Sequence, residues 1–321
     1  MREHARTILT SSIIAVLLLG AACGRGEDGG TAGTQMVTVD GSSTVFPISE
    51  AVAEEFQLAN RGARVTVGVS GTGGGFQKFC RGEVDVANAS REISPTEVEA
   101  CKASGVTYLE LPVAYDGLAV VVHPENTWAT SMTVEELRRL WEPGAEGTIT
   151  RWSQIRTGWP DQEIHLFGAG VDSGTFDSFT ESINGEAKAS RGDFTSSEDD
   201  NLIVQGVAGD VNALGYFGYA YYDENRERLK LVAIDDGNDE NGAGPIAPSP
   251  ETVRGGTYRP LSRPLFIYVS QQAVVRPEVR AFVDFHLNQG VPLVSEVGYV
   301  PLTDAEHQEA LQRYQQFAGA Q

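Results

Sequence analysis

The sequence predicts an α/β protein whose strands are mostly parallel. Stretches in which Val alternates with other residues, such as 63–70, are typical of strands. Segments with apolar residues at helical spacing, such as 47–58, lie between such stretches. A helix that follows a strand returns the chain to the end of the sheet where that strand began. This alternation therefore favours parallel pairing of successive strands. With 321 residues, 41% of them apolar, the chain is long enough for a substantial core and two domains.

The first elements set a pattern of strand, small residues and helix. A short strand at 37–39 runs into the turn GSST and then into the helix 47–58. The strand 63–70 ends in the run SGTGGG, and the helix that follows is predicted to open at Phe76. The same arrangement is expected twice at one edge of the sheet.

Two later helices are marked by capping boxes, in which a hydroxyl residue precedes the helix and a Glu follows three residues on. These are Ser94 with Glu97, and Thr133 with Glu136. The other predicted elements are strands at 83–90 and 108–124, a loop at 235–256, a strand from about Leu265 and a helix at 277–288.

The charge balance excludes some classes of partner. Asp and Glu total 44 residues against 24 Lys and Arg, which gives a net charge of −20. Nucleic acids and anionic lipid surfaces attract proteins through broad positive fields, which this chain lacks. No nucleic-acid partner is therefore expected.

Residues 1–23 are predicted to be a secretory signal. Arg2 and Arg6 precede an apolar run that is too short to span a membrane comfortably, and small residues lead to Cys23. This end is similar to a bacterial lipobox, in which the cysteine is lipidated and becomes the new N-terminus. Ordinary cleavage to a freely soluble product is the alternative. The Gly-rich stretch 24–36 is expected to be a flexible tether.

These features predict an exported protein at the cell surface or in the periplasm. We expect it to reach the membrane only through the lipid anchor. If Cys23 is lipidated, Cys80 and Cys101 remain, and in an oxidising compartment such a pair most simply forms a disulfide. A metal site is disfavoured because no His lies near either cysteine in sequence.

Three segments place Ser, Thr and Gly directly before an apolar helix face: 42–44, 70–74 and 173–175. A helix start has unpaired N–H groups and a partial positive charge, and short hydroxyl side chains add donors with little bulk. Several such starts that converge on one point form an anion site. Ordinary helix capping is the alternative for any one of them.

Two charged residues lie near these turns. Arg91 follows a strand end at the edge where α/β folds place ligands, and its guanidinium can contact two oxygens of an anion at once. Asp172 precedes Ser173, where a carboxylate would repel an anion unless the anion itself carries a proton to donate. A surface arginine and a solvated turn residue are the alternatives.

Six segments carry a resemblance to a known family: GSSTVFPI, SGTGGGFQKFCRGEVDVANASREI, ELPVAYDGLAVVVHPEN, FGAGVDSGTFDSF, QGVAGDVNALGYFGYAYY and YRPLSRPLFIYV. Together, over about residues 37–315, they resemble the phosphate-binding proteins of bacterial phosphate ABC transporters. The resemblance implies a type II periplasmic-binding fold, in which two α/β lobes joined by a hinge close on phosphate and deliver it to a membrane permease.

The resemblance also implies a lobe division. The first lobe would hold 37–113 and 262–321, and the second would hold 114–261. The hinge would lie at 114–117 and near 258–264. A monomer that needs no cofactor and no metal is expected, open without ligand and closed with it.

By the resemblance, hydroxyls and amides of all three turns hold the anion. The implied ligand-binding residues are Ser43, Thr44, Val45, Phe46, Ser70, Thr72, Arg91, Asp172, Ser173, Gly174 and Thr175.

The sequence departs from better-known members of the family in its charged residues. Those members carry an Asp where Arg91 stands and an Arg shortly before the SGT turn, which FGAGVD lacks. The simplest interpretation is an exchange, with Arg91 as the cation and Asp172 as the proton acceptor. If Arg91 is not the cation, Arg254, Arg259 and Arg263 are the next candidates.

Other functions stay open at this point. The same fold could bind sulfate, molybdate or tungstate, although Asp172 would then be hard to explain. A secreted serine hydrolase or phosphatase using Ser173 or Ser70 would need a histidine partner or clustered metal ligands, and the sequence offers no recognisable pairing of either kind. A surface phosphate sensor or adhesin would have the same sequence features as a transport protein.

Overall fold

The computed structural model describes residues 35–171 and 173–319. The predicted signal, most of the predicted tether, Cys23 and Asp172 lie outside the described residues. The first strand begins at Gln35, so the last two residues of the stretch 24–36 belong to the sheet.

Strands and helices alternate along most of the chain, as predicted. The strands are β1 (Gln35–Gly41), β2 (Ala63–Val69), β3 (Val86–Ala89), β4 (Tyr108–Val122), β5 (Ser131–Thr133), β6 (His165–Ala169), β7 (Thr195–Ser197), β8 (Ala213–Gly218), β9 (Lys230–Leu231), β10 (Ala233–Asp235), β11 (Ser262–Ser270) and β12 (Val300–Pro301). The helices are α1 (Phe46–Ala59), α2 (Gly71–Cys80), α3 (Pro95–Ala103), α4 (Val134–Trp141), α5 (Trp152–Ile155), α6 (Gly174–Asn184), α7 (Asp200–Ala208), α8 (Tyr219–Asn225), α9 (Pro250–Arg254), α10 (Gln271–Val274), α11 (Pro277–Gln289), α12 (Val291–Glu296) and α13 (Asp304–Gly319).

In the part of the chain that the structure describes, ten strands form one sheet. Its order is β2-β1-β3-β11-β4-β8-β6-β7, with β9 and β12 also paired to β4, while β5 and β10 pair separately. Strands near the two ends of the sheet are parallel, but β11 runs antiparallel to β3 and β4, and β4 runs antiparallel to β8. The expectation of mostly parallel strands is therefore wrong for the centre of the sheet. The late strand β11 is inserted there between two early strands, a long-range pairing that local patterns do not encode.

Two large clusters of buried apolar side chains stabilise the fold. The first core lies between α1, β1, β11, α11 and α13, where the rings of Phe56 and Phe282 meet edge to face at 5.5 Å. The second core lies between the end of β4, α4, α6 and β8, where Phe179 stacks on Tyr216 at 3.7 Å. Burial of this apolar surface is the main favourable term in folding.

Strand β4 belongs to both cores. Its residues up to Gly117 pair with β11, and its residues from Leu118 pair with β8. Ala114 lies in the first core and Leu118 lies in the second. The strand therefore passes from one core to the other over a few residues, within the stretch predicted as hinge.

Helix α2 begins five residues earlier than predicted. Glycine is a poor helix former, so the run SGTGGG favours a loop on local grounds. The run instead forms the first turns of α2, which packs closely on β1. A Cβ atom at Gly75 would lie 2.5 Å from the Gly41 Cα, so this approach requires glycine.

The cysteine prediction is confirmed. Cys80 and Cys101 form a disulfide that joins the end of α2 to α3. The capping boxes of α3 and α4 are also present, formed by Ser94 with Glu97 and by Thr133 with Glu136.

Within residues 35–171 and 173–319, no helix combines the length and the apolar character needed to cross a membrane. In the same residues, no group of three or more His, Cys, Asp or Glu side chains is arranged to hold a metal ion.

Candidate functional site

A cleft of about 450 Å³ lies where several of the predicted segments meet. It is lined from five places: the turn before α1, the start of α2, the end of β3, α6 with the loop after it, and β11. The lining residues are Ser42, Ser43, Thr44, Gly71, Thr72, Gly73, Ser90, Arg91, Asp177, Glu181, Ser182, Ala187 and Arg263. Volume and lining are suitable for a small polar ligand.

The turn before α1 is anchored by its own backbone. Ser42 N–H donates to Asn88 O at 3.0 Å, and Phe46 N–H donates to Ser42 O at 3.0 Å. The Phe46 amide, predicted as a ligand contact, is thus used within the turn. Val45 is fully buried in the first core and makes no side-chain cap for the helix, and the members of this turn that line the cleft are Ser42, Ser43 and Thr44.

Helix α6 starts directly against this turn. A Cβ atom at Gly174 would lie 2.6 Å from Ser43 O and 2.9 Å from Thr44 Cα, so any larger residue would force the two segments apart. Ser173 caps the helix, because its Oγ accepts a hydrogen bond from Thr175 N at 3.0 Å. The first and third predicted turns therefore meet, but Ser173, Gly174 and Thr175 are not among the described residues that line the cleft.

The second turn contributes Thr72 to the cleft rather than Ser70. The Thr72 hydroxyl lies 3.1 Å from the Ser90 hydroxyl and accepts a hydrogen bond from Ser90 N at 3.2 Å. Ser70 donates its hydroxyl proton to Asp40, whose other oxygen accepts from Lys78 Nζ at 2.6 Å. The Ser70 side chain is therefore engaged in this separate cluster.

Arg91 lines the cleft but is held by a carboxylate. Its Nη1 and Nη2 donate to the two oxygens of Glu97 at 2.8 and 2.9 Å, and its guanidinium lies 5.7 Å from the centre of the Phe76 ring. The hydrogen bond to Glu97 raises the pKa of Arg91. Burial alone would raise the pKa of Glu97, but the hydrogen bonds from Arg91 and Ser94 outweigh it and hold that pKa below its usual value.

Arg263 is the more buried cation of the cleft. Its side chain on β11 is 19% exposed, against 47% for Arg91. Nη2 donates to Thr44 Oγ1 at 2.9 Å and Nη1 donates to Glu181 Oε2 at 3.1 Å. The sequence leaves Arg263 as a second choice behind Arg91, because the pairing of β11 beside β4 that places it here is not visible in local patterns.

Asp177 on α6 is a cleft residue that sequence reasoning missed. Its Oδ2 accepts from Ser43 Oγ at 2.9 Å, and Lys188 Nζ lies 4.0 Å from its Oδ1. The Oδ1 atom is buried and has no hydrogen-bond donor among the described residues. Such an atom can accept a hydrogen bond from a ligand that carries a proton. The available signal was the position of Asp177 in the first turn of α6, close to the SGT turn.

The cleft offers hydroxyls, two guanidinium groups and two carboxylates, Asp177 and Glu181, but the described residues that line it include neither histidine nor cysteine. Guanidinium groups and hydroxyls bind oxyanions well, and a carboxylate with an unpaired oxygen selects anions that carry a proton. The arrangement is therefore suited to binding a small protonated oxyanion.

Comparison with known proteins identifies first the protein superfamily and then individual relatives of this chain. A family model described as a PBP superfamily domain matches residues 26–289, which is most of the chain. Protein SphX from Synechocystis sp. is 49% identical over 293 residues, with 91% of this chain and 84% of that protein covered. The phosphate-binding protein PstS from Staphylococcus saprophyticus is 34% identical over 303 residues, with 94% of this chain and 91% of that protein covered.

A solved structure agrees with these relatives. The crystal structure of a possible phosphate binding protein from Planctomyces limnophilus is 50% identical and superposes with a TM-score of 0.84, covering 88% of this chain and 98% of that one. The chain belongs to the PBP superfamily, in the same family as these SphX and PstS proteins. The resemblance found in the sequence and the predicted fold class are both confirmed.

Proposed function

We propose that this chain is an extracytoplasmic solute-binding protein that captures inorganic phosphate in the cleft and delivers it to an ABC permease. The observation that carries the proposal is the meeting of the turn before α1, the start of α2 and helix α6 around one cleft with Arg263 and Arg91. The names of the PstS and SphX relatives and of the solved structure support the same ligand.

Hydroxyls and arginines hold the anion in this proposal. Thr44, Thr72 and Ser90 supply hydroxyl donors, and Arg263 and Arg91 supply charge. Hydrogen bonds between charged and neutral partners are shorter and stronger than those between neutral groups, so one oxyanion can be bound tightly by this many donors. Helices α1 and α2 add the partial positive charge of their starts.

Asp177 selects for phosphate over sulfate. At neutral pH phosphate carries at least one proton and sulfate carries none. The buried Oδ1 of Asp177 lacks a donor among the described residues, and hydrogen phosphate supplies one. A sulfate ion would bring a bare oxygen against the carboxylate and would be repelled. Asp177 thus takes the role that the sequence suggested for Asp172.

We also propose how the protein is divided into lobes and where in the cell it works. The stretches 37–113 and 262–321 form one lobe and 114–261 forms the other, with β4 and β11 as hinge strands. The protein works as a monomer without enzymatic activity. Export by the signal, with lipidation of Cys23, places it outside the cytoplasm and beside its permease.

Titration calorimetry at neutral pH tests the ligand. Wild-type protein is expected to bind phosphate much more tightly than sulfate, and equal or stronger sulfate binding would exclude the proposal. In Asp177→Asn, the ratio of phosphate to sulfate affinity should fall by about ten-fold or more, because the amide no longer requires a proton from the ligand. Asp161→Asn, at a carboxylate that is 72% exposed and does not line the cleft, serves as the control. An unchanged ratio in Asp177→Asn would show that selection occurs elsewhere.

A further inference from the structure

Asp116 lies directly behind the cleft, at the point where the sheet passes from one core to the other. It is the residue of β4 that pairs with Arg263 across the β4–β11 ladder. It is only 3% exposed, and its Oδ2 accepts from Ser178 Oγ of α6 at 2.7 Å. Asp116 is not one of the described residues that line the cleft.

Arg263 connects this buried carboxylate to the cleft. Its Nη1 and Nη2 reach Glu181 and Thr44, on two different sides of the cleft. Its Nε is buried, lies 3.5 Å from Asp116 Oδ2, and has no hydrogen-bond partner among the described residues. The inner side of the guanidinium therefore faces Asp116, while the outer two nitrogens are directed to groups around the cleft.

The two charges depend on each other. A buried carboxylate is costly unless a cation and hydrogen bonds compensate it. Burial raises the pKa of Asp116, and the charge of Arg263 and the Ser178 hydroxyl act in the opposite direction. In return, a long arginine side chain loses rotamer freedom when it is fixed, and the carboxylate stabilises the one orientation that it pairs with.

We propose that Asp116 is a positioning residue for anion binding: it holds the Arg263 guanidinium from behind, so that Nη1 and Nη2 stay directed into the cleft. The inference rests on the proposed function of the cleft. Because Arg263 lines the cleft and Asp116 does not, Asp116 acts on the anion only through Arg263.

A double-mutant cycle on phosphate affinity tests this. Asp116→Asn keeps the size of the side chain and an acceptor for Ser178 but removes the charge. In the wild-type background it should weaken phosphate binding by about ten-fold or more. In an Arg263→Ala background it should have no further effect, within about two-fold. A general disturbance of the fold would weaken binding in both backgrounds.

A second ion pair, in which the arginine is buried and the aspartate is exposed, provides the control. Arg191 is 4% exposed and pairs with Asp193 through two hydrogen bonds, and neither residue lines the cleft. Asp193→Asn should change thermal stability but leave phosphate affinity as it is in the wild type. This separates the loss of a carboxylate that pairs with a buried arginine elsewhere from the loss of the carboxylate that pairs with Arg263.

Two results would overturn the inference: unchanged affinity in Asp116→Asn, or equal losses with and without Arg263. If Asp116→Asn does not fold by circular dichroism, Ser178→Ala replaces it in the same cycle, because it removes the hydrogen bond from the Ser178 hydroxyl that fixes the carboxylate. Ser178→Ala should then weaken binding only when Arg263 is present, and any other pattern overturns the inference. Absence of phosphate binding in the wild type would instead refute the proposed function.

Discussion

A hydroxyl residue at a helix start can cap the helix, pair with a neighbour or face a ligand. The three turns of this chain contain all three cases. Ser173 caps α6, Ser70 donates to Asp40, and Thr72 lies in the cleft beside Ser90. Because each use requires the same residue type at nearly the same position, the sequence predicts the set of candidates but cannot rank its members.

The difference between Ser70 and Thr72 gives a direct test at the scale of single residues. Thr72→Val removes a cleft hydroxyl at constant shape and should weaken phosphate binding by about 1 to 2 kcal/mol. Ser70→Ala removes a hydroxyl bonded to Asp40 and should leave affinity within about two-fold of the wild type. Calorimetry on both variants measures this, and a larger loss in Ser70→Ala than in Thr72→Val would contradict the placement of the two side chains.

The charged residues of the cleft were the least predictable part of the site. Arg91 was predicted from its position after a strand end, which is a local signal. Arg263 and Asp177 reach the cleft through β11 and α6, and their contacts with Thr44 and Ser43 join residues 219 and 134 positions apart in sequence. No pattern within a short window encodes such contacts.

At the scale of elements, glycine decides how closely helices approach the sheet edge and one another. Gly75 allows α2 to pack on β1, and Gly174 allows α6 to start against the turn before α1. The sequence predicted the helices with capping boxes well, because a capping box is local. It placed the start of α2 too late, since the stabilisation that holds a glycine-rich turn in a helix comes from tertiary packing.

Gly174→Ala tests the contact between α6 and the turn before α1. The new Cβ would lie 2.6 Å from Ser43 O, so the two segments must separate and the donors of the cleft must move apart. Phosphate affinity should fall by about ten-fold or more, since anion binding depends on donor geometry. Gly144→Ala is the matched control, because a Cβ there has no neighbour within 4 Å and the backbone is not left-handed. If Gly174→Ala binds phosphate with wild-type affinity, α6 can shift without changing how the cleft binds the anion.

At the scale of the whole molecule, two cores share one sheet, and β4 runs through both. Composition and length indicated room for two domains, and the alternation of elements indicated their class. The antiparallel centre of the sheet was not predictable, because it depends on β11 returning to lie between β3 and β4. The two stretches predicted as hinge, 114–117 and 258–264, pair with each other through that same return.

His286 makes the stability of the whole fold sensitive to acid. It is 4% exposed on α11, its Nε2 has no hydrogen-bond partner among the described residues, and burial lowers the pKa of its imidazole from 6.5 to about 4. The native state therefore holds the neutral ring, while the unfolded chain takes up a proton below about pH 6.5. The contribution of His286 is fully present above that pH and is lost as the pH falls towards 4.

The expected effect is a loss of about 3 kcal/mol in the free energy of unfolding of the wild type between pH 7 and pH 4, relative to His286→Leu. Urea denaturation of both proteins across this pH range measures it, and taking the difference cancels the carboxylates that titrate in both. Parallel curves for wild type and His286→Leu would show that residue 286 does not titrate differently on folding.

The composition of the first core constrains the order in which a newly made chain can fold. That core joins Val37 of β1 to Tyr314 of α13, so it stays incomplete until α13 has been synthesised. Most of the second core is supplied by a continuous stretch between Leu118 and Leu261, which can begin to collapse while translation is still in progress. The apolar side chains of β1 and α1 therefore stay partly uncovered until β11, α11 and α13 have followed them.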